Sequence, residues 1–189
     1  EINFNQNIGF VPTMGSLHKG HLSLIKIAKR RSEKVIVSVF INPSQFNNKK
    51  DFKKYPRNLK KDIKTLHKLN IDFLFLPEHY EIYTKGILKK ITISKKDKIL
   101  CAKHRKGHFE GVLAVVSRLL SIIKSKYLFL GEKDFQQIFL IKKYLGSKFN
   151  TKIVSCKTIR NKNYLPLSSR NELLSSSGLK KSEHISKLL

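Results

Sequence analysis

Two histidines three residues apart, His18 and His21, lie in the stretch Phe10-Val11-Pro12-Thr13-Met14-Gly15-Ser16-Leu17-His18-Lys19-Gly20-His21, which joins an apolar run to a helical pattern. Residues 8–11 read as a short buried strand, and Leu22, Ile25, Ile27 and Ala28 follow at helical period. Gly15 and Gly20 let the intervening backbone turn sharply and approach a ligand closely. A helix starting near His21 aims unpaired N–H groups and its positive dipole end at an anion, and both imidazoles can donate to phosphate oxygens as charge builds there. Such a loop can hold a triphosphate. An isolated H-x-G-H equally suits histidines that only flank a turn and cap a helix, so the surroundings must decide.

Two further segments offer cations. Lys133 in Gly131-Glu132-Lys133-Asp134 follows an apolar run and can meet phosphate as a point charge, while Arg170 in Leu167-Ser168-Ser169-Arg170-Asn171 adds a planar fork behind two hydroxyl donors. Taken alone, the first reads as one surface lysine among many and the second as a plain turn. Gln45 and Gln137 are neutral groups that both donate and accept, suited to orienting the hydroxyl and carboxylate groups of a small acid. Met14, Phe40 and Phe46 stand near them in sequence or in the expected fold, which suggests a pocket with a hydrocarbon wall and polar anchors. By itself each glutamine reads as an ordinary exposed residue.

The elements that must position these groups alternate. Strands are expected at residues 8–11, 35–40, 73–76, 127–130 and Lys152–Cys156, with a shorter one at 87–93. Helices are expected at 58–69, with Leu59, Ile63, Leu66 and Leu69 on one face, then at 111–124, Phe135–Leu145 and 179–189, the last after a Ser175-Ser176-Ser177-Gly178 hinge or helix start. This rhythm requires crossovers and so predicts an α/β fold, a doubly wound and mostly parallel sheet covered on both faces. Every candidate loop then falls at the carboxyl ends of the strands, where ligands bind in open α/β sheets.

At 189 residues and 40% hydrophobic, the chain can bury one good core. No apolar run reaches the length of a membrane span and no charged-then-apolar leader is visible. Cys101 and Cys156 lack metal-ligand spacing, so reduced thiols in a cytoplasmic protein are expected. The net charge of +26 is carried mainly by lysines scattered over nearly every element, without an aromatic-interleaved basic stripe. That distribution describes a solvated basic surface and no specific nucleic-acid or membrane site, although its field should attract ATP and other anions in a salt-dependent way.

The H-x-G-H segment resembles the signature of the nucleotidyltransferase superfamily, and the longer string Pro12-Thr13-Met14-Gly15-Ser16-Leu17-His18-Lys19-Gly20-His21-Leu22 resembles the pantoate–β-alanine ligase family more narrowly. Further blocks follow in the family's order: residues 37–46, Asp51-Phe52 with Tyr55-Pro56-Arg57, residues 107–112, residues 131–137 and residues 167–171. The resemblance implies a Rossmann-like domain at residues 1–174 and, at 175–189, only the start of a small C-terminal lid domain. It implies ATP contacts from Met14, Gly15, Ser16, Leu17, His18, Gly20, His21, Gly131, Glu132, Lys133, Asp134, Leu167, Ser168, Ser169 and Arg170. Gln45 and Gln137 would bind pantoate, with Gln45 also touching β-alanine. Catalytic roles fall to His18, His21, Lys133 and Arg170, with His21 carried over as a proton donor to the leaving group. The implied reaction runs through a pantoyl-adenylate and releases AMP and pyrophosphate. Mg²⁺ is expected mainly on ATP oxygens, and a homodimer is implied by the family alone.

Three departures from the family pattern stand out. Lys19 replaces an acidic or small polar residue, Lys106 replaces a proline, and Asn163-Tyr164 replaces an Asp-Gly turn ahead of the Arg170 loop. The last removes a glycine where the closing loop must bend. The chain begins without Met and ends at Leu189, short of the family's lid, so a fragment is expected. A transfer of AMP or CMP to another acceptor, and a basic binding module, remain the competing functions.

Overall fold

Five strands, β1 (Ile8–Thr13), β2 (Lys34–Val39), β3 (Phe73–Phe75), β4 (Tyr127–Gly131) and β5 (Lys152–Cys156), form one parallel sheet in the computed structural model, which describes residues 7–84 and 91–189. Their order is β3-β2-β1-β4-β5. The chain therefore winds outward from β1 in one direction, returns, and winds outward from β4 in the other. Loops leaving β1 and β4 diverge at this reversal and open a crevice between them.

Parallel neighbours require crossover connections, and helices supply them. Helix α1 (Lys19–Arg31) links β1 to β2; α2 (Lys49–Lys54) and α3 (Leu59–Lys68) link β2 to β3. The longer passage to β4 carries α4 (His79–Ile82), α5 (Cys101–His104) and α6 (His108–Ile123), and α7 (Phe135–Leu145) links β4 to β5. Helix α8 (Ser176–Leu188) follows β5 and the Arg170 loop, with the Ser175 hydroxyl accepting from the Gly178 N–H at its start.

Successive side chains on a strand face opposite ways, and the core divides accordingly. Phe10, Ile36 and Leu128 pack with Leu113, Leu120 and Ile141 of α6 and α7, whereas Val11, Val35, Val37 and Phe129 pack with Ile25, Ala28 and Leu66 of α1 and α3. Both faces are covered, which is why these strands read as continuous apolar runs.

Several boundaries differ from expectation for identifiable reasons. Helix α1 starts at Lys19, with His18 as its cap, because the imidazoles themselves satisfy its first N–H groups. In α3 only Leu66 is buried among the expected apolar positions; Leu59 and Ile63 are 46% and 43% exposed, and the inward position between those two belongs to Asp62. Of the strand expected at 87–93, residues 87–90 lie outside the described residues, and Ile91 and Ile93 are buried in the core without strand pairing. Both cysteines are free, and among the described residues no helix is long and apolar enough to cross a membrane.

Tyr164, at the family's glycine position, adopts φ +66, a left-handed conformation that a side chain opposes by about 1–2 kcal/mol. The turn survives because Asn161 Oδ1 accepts from the N–H groups of Asn163 (2.9 Å) and Leu165 (3.0 Å), and Arg160 Nη1 donates to the Tyr164 carbonyl (2.8 Å). Asn161 and Asn163 also donate to the two carboxylate oxygens of Glu183 on α8. The Asn side chains thus hold a bend that glycine would adopt freely. Since the Tyr164 side chain is largely exposed, Tyr164→Gly should raise stability by ~1 kcal/mol in a denaturant titration. A loss of stability would show that the ring has packing value here.

Candidate active site

The loop after β1 is held from beneath by one buried carboxylate. Asp62 of α3, 2% exposed, accepts from the N–H of Ser16 through Oδ2 and from the N–H of Leu17 through Oδ1, both at 2.8 Å. Gly15 at φ +78 and Ser16 at φ +48 are both left-handed, and a Cβ on Gly15 would lie 3.0 Å from Val39 and 3.1 Å from Asp62. Thr13 closes the loop's near end, donating to the Ser38 carbonyl and accepting from the Gly15 N–H. This strained course lifts the chain so that α1 begins at the crevice.

At that helix start the two histidines form a reciprocal cap. The His18 N–H donates to Nδ1 of His21 (3.3 Å), the Gly20 N–H donates to Nδ1 of His18 (3.1 Å), and the rings lie 4.0 Å apart. A Cβ on Gly20 would come within 2.8 Å of the His18 ring, so only glycine permits this packing. Because a backbone N–H can only donate, each Nδ1 is unprotonated, and each neutral ring carries its proton on Nε2. Burial, the neighbouring His18 and Lys133 push the His21 pKa down to about 3; burial and Lys133 also lower His18. Both rings are neutral Nε2–H donors.

Two adjoining clefts open at the crevice, of about 180 and 130 Å³, sharing Pro12, His18, His21, Lys133, Asp134 and Gln137. The larger holds Met14, Gln45, Ser168, Ser169 and Arg170; the smaller holds Gly20, Gly131 and Leu167. Gly15, Ser16 and Leu17 line neither and serve as the backbone support behind them. Glu132 likewise points elsewhere, accepting from Ser155 and so joining the ends of β4 and β5.

The larger cleft has one apolar wall, but a different one from that expected. Phe40 and Met14 contribute, whereas Phe46 does not line it: it lies edge-on to Phe52 and Tyr55 at 5.3 and 5.6 Å. Val112, Val115, Val116 and Leu119 of α6, with Leu130 of β4, supply the remaining surface. Gln45 is oriented by Asn42, whose Nδ2 donates to Oε1 at 3.1 Å, and by Met14, whose sulfur accepts from Nε2. Asn42 is itself buried, donating to the Gly111 carbonyl and accepting from Tyr83. His108 donates from Nδ1 to the Gln45 carbonyl at 2.5 Å.

Arg170 reaches the cleft from the opposite side and is already paired. Its Nε and Nη2 donate to the two oxygens of Asp51 at 2.9 and 2.8 Å, and the guanidinium sits over Tyr55 and Phe46. The pairing holds the Asp51 carboxyl below its ordinary pKa and raises that of Arg170. Ser169 donates to the Ser16 carbonyl at 3.0 Å, so it fastens the two loops together, while Ser168 accepts from the Arg170 N–H and keeps its own hydroxyl proton available. Lys133 pairs with Asp134 at 2.7 Å.

Sequence reasoning did not find Asp62, Asn42, the Asp51 partner of Arg170 or the α6 wall as parts of the site. Asp62 had a visible signal, since it falls three residues after Leu59 and four before Leu66, on the apolar face of a helix. The α6 valines read as ordinary core.

A doubly wound sheet with imidazoles, a lysine and an arginine loop meeting at its reversal point defines a nucleotide-binding α/β protein of the H-x-G-H type. The pantoate-beta-alanine ligase family model matches residues 2–189, and the chain belongs to that family. It is 50% identical over 186 residues to a pantothenate synthetase of Francisella tularensis subsp. novicida, covering 97% of this chain and 71% of the relative. The crystal structure of a Francisella tularensis pantoate-beta-alanine ligase complexed with beta-gamma ATP and beta-alanine superposes with a TM-score of 0.94 at 48% identity, covering 98% of this chain and 72% of that one. A pantothenate synthetase from Thermus thermophilus superposes at 0.92 with 36% identity, covering 97% and 67%.

Two outcomes follow from this geometry. Asp62→Ala leaves two buried N–H groups unpaired and should destabilise the protein by about 3 kcal/mol while weakening binding of a fluorescent ATP analogue. Normal stability and normal nucleotide affinity would remove Asp62 as the loop's support. For His21, the folded pKa lies below the unfolded 6.5, so the unfolded state binds more protons and stability falls as pH drops from about 6.5 toward 3. Melting curves across this range should show a smaller acid loss in His21→Gln than in the wild type; parallel curves would contradict a desolvated neutral imidazole.

Proposed function

We propose that this chain joins pantoate to β-alanine at the expense of ATP, by way of a pantoyl-adenylate. The observation that carries this reading is that phosphate-directed groups (His18, His21, Lys133, Arg170) and acid-directed groups (Gln45, Gln137, the apolar α6 wall) line one continuous crevice. The triphosphate would lie across the smaller cleft and the H-x-G-H loop, and pantoate's geminal methyls against Val112, Val115, Val116 and Leu119 with its polar groups on the two glutamines.

In the first step the pantoate carboxylate attacks the α-phosphorus in line, and pyrophosphate leaves. In the second the β-alanine nitrogen attacks the acyl carbon; the C–N bond forms, AMP leaves and the amine gives up a proton. His18 and His21 donate from Nε2 to oxygens on which charge develops. For His21 to pass a proton to the leaving group it must first take one up, and the bound triphosphate supplies the negative charge that reverses the effect of burial. Mg²⁺ comes as the counter-ion of ATP; among the described residues no group of three or more His, Cys, Asp or Glu gathers to hold it. Arg170 would exchange Asp51 for phosphate oxygens.

The same reading divides the chain into a Rossmann-like domain at 1–174 and the first helix of a lid at 175–189, in a cytoplasmic homodimer. Enclosure matters because water would hydrolyse the mixed anhydride.

The test is incubation with ATP, pantoate and β-alanine, omitting each in turn. Pyrophosphate release should require pantoate, and pantothenate should require all three. Release driven by a different acceptor would favour the AMP- or CMP-transfer reading. His21→Ala should lower turnover by about 2.7–4 kcal/mol in activation free energy, with folding intact. ATP affinity should fall as salt is raised, since the +26 charge acts through a screened field.

A further inference from the structure

A hydrogen-bonding phenol lies just outside the acid pocket, where the proposed ligation gives it no role. Tyr83, immediately after α4, lines neither of the two adjoining clefts. Its hydroxyl nevertheless donates to Oδ1 of the buried Asn42 and lies 2.7 Å from Ser44 Oγ. Its ring stacks on His79 at 4.6 Å and stands 6.4 Å from that of Phe40, part of the apolar wall.

We propose that Tyr83 is a positioning residue for the acid pocket, acting through Asn42 to fix which end of the Gln45 amide faces the substrate. This assignment rests on the ligation reading above, in which Gln45 binds pantoate. An amide carries donors only on nitrogen and acceptors only on oxygen, so its partners decide which way round it stands. Asn42 Oδ1 accepts from the Tyr83 hydroxyl, from Ser44 Oγ at 3.0 Å and from the Ser44 N–H at 3.3 Å. Its Nδ2 must then face the other way, where it donates to the Gly111 carbonyl at 3.2 Å and to Gln45 Oε1 at 3.1 Å. Gln45 is thereby turned with its oxygen toward Asn42 and its Nε2 toward Met14 and the cleft. In that orientation one N–H remains to donate to a hydroxyl or carboxylate oxygen. Reversed, the amide would set its own oxygen against the carboxylate.

The tyrosine is itself held from α6. Arg118 donates from Nε and Nη2 to the Glu81 carbonyl at 3.1 and 2.9 Å, and the Tyr83 N–H donates to the His79 carbonyl at 2.9 Å. Ile82, between these two points, is fully buried in the core. Helix α6 also supplies the apolar wall and, through Gly111, a second partner for Asn42. A Cβ on Gly111 would lie 2.5 Å from the Ser44 carbonyl oxygen, so the segment that presents Gln45 rests directly on this helix. Wall and polar anchor share one support, and the Tyr83 hydroxyl sets the sense of the anchor. Burial pushes the Tyr83 phenol up, which keeps on it the proton that the bond to Asn42 requires.

The experiment uses Tyr83→Phe, which keeps the ring against Phe40 and removes only the hydroxyl. In pantothenate formation the KM for pantoate should rise about 3- to 10-fold, the loss of one net hydrogen bond, while the KM for ATP stays unchanged. Placed in a Gln45→Ala background, the same substitution should raise the pantoate KM no further, because the group it orients is absent. An equal rise in both backgrounds would show that Tyr83 acts on the wall and not through Gln45. An equal rise for ATP would show that it only supports the fold. Either result overturns the assignment, as does an unchanged pantoate KM. If the wild-type chain makes no pantothenate from the three substrates, the ligation reading falls by itself, and the Gln45 side-chain amide signals in an NMR spectrum test the link directly. Tyr83→Phe should shift them, and coincident signals would overturn the coupling of Tyr83 to Gln45.

Discussion

The crevice depends on one buried carboxylate beneath one loop. Asp62 receives two adjacent N–H groups, from Ser16 and Leu17, at a point where the backbone is left-handed for two residues in succession. Without that acceptor the strained course would have no fixed partner, and buried N–H groups tolerate this poorly. Everything downstream inherits the loop's position: the cap at His18, the packing of His21 against it, and the Ser169 hydroxyl that fastens the Arg170 loop to the Ser16 carbonyl. A helix on one face of the sheet thus sets the height at which α1 starts on the same face, and the crevice forms beside it.

Much of the fold was legible because parallel strands buried on both faces leave a strong signature. The runs at 35–40 and Lys152–Cys156 and the helix at Phe135–Leu145 were placed within a residue of their observed limits. Short elements were not legible: α2, α4 and α5 are four to six residues long and are made by local caps and by contacts from distant segments, which periodicity cannot register. The same asymmetry governs the site. Side chains carrying chemical function announced themselves by type and spacing. Side chains that orient them gave less sign: Asn42 stands only three residues before Gln45 but reads as a plain helix cap, and Asp51 is 119 residues from Arg170, a pairing that only folding shows.

The electrostatics of the crevice contrast with the strongly basic chain around it. Most of the cationic groups that line the crevice are neutralised locally: Lys133 by Asp134, Arg170 by Asp51, and both histidines by loss of their charge. Positive charge in a partly buried crevice is costly without an anion, and each of these arrangements lowers that cost in the absence of ligand. The pairs are exposed enough to exchange partners, with Arg170 and Asp51 side chains 40% and 34% accessible.

This arrangement has a consequence for the order of charging. Under the proposed function, a triphosphate entering the crevice would bring negative charge to groups that are either neutral or already paired, so its binding would exchange partners at Arg170 and raise the proton affinity of His18 and His21. Binding and protonation would then be linked, and acid would favour binding. Burial, His18 and Lys133 depress the His21 pKa, and an anion beside the ring would raise it. Neutral Nε2–H groups can meet the first phosphate oxygens as hydrogen-bond donors, and the charge on the ring need appear only when the departing oxygen requires a proton.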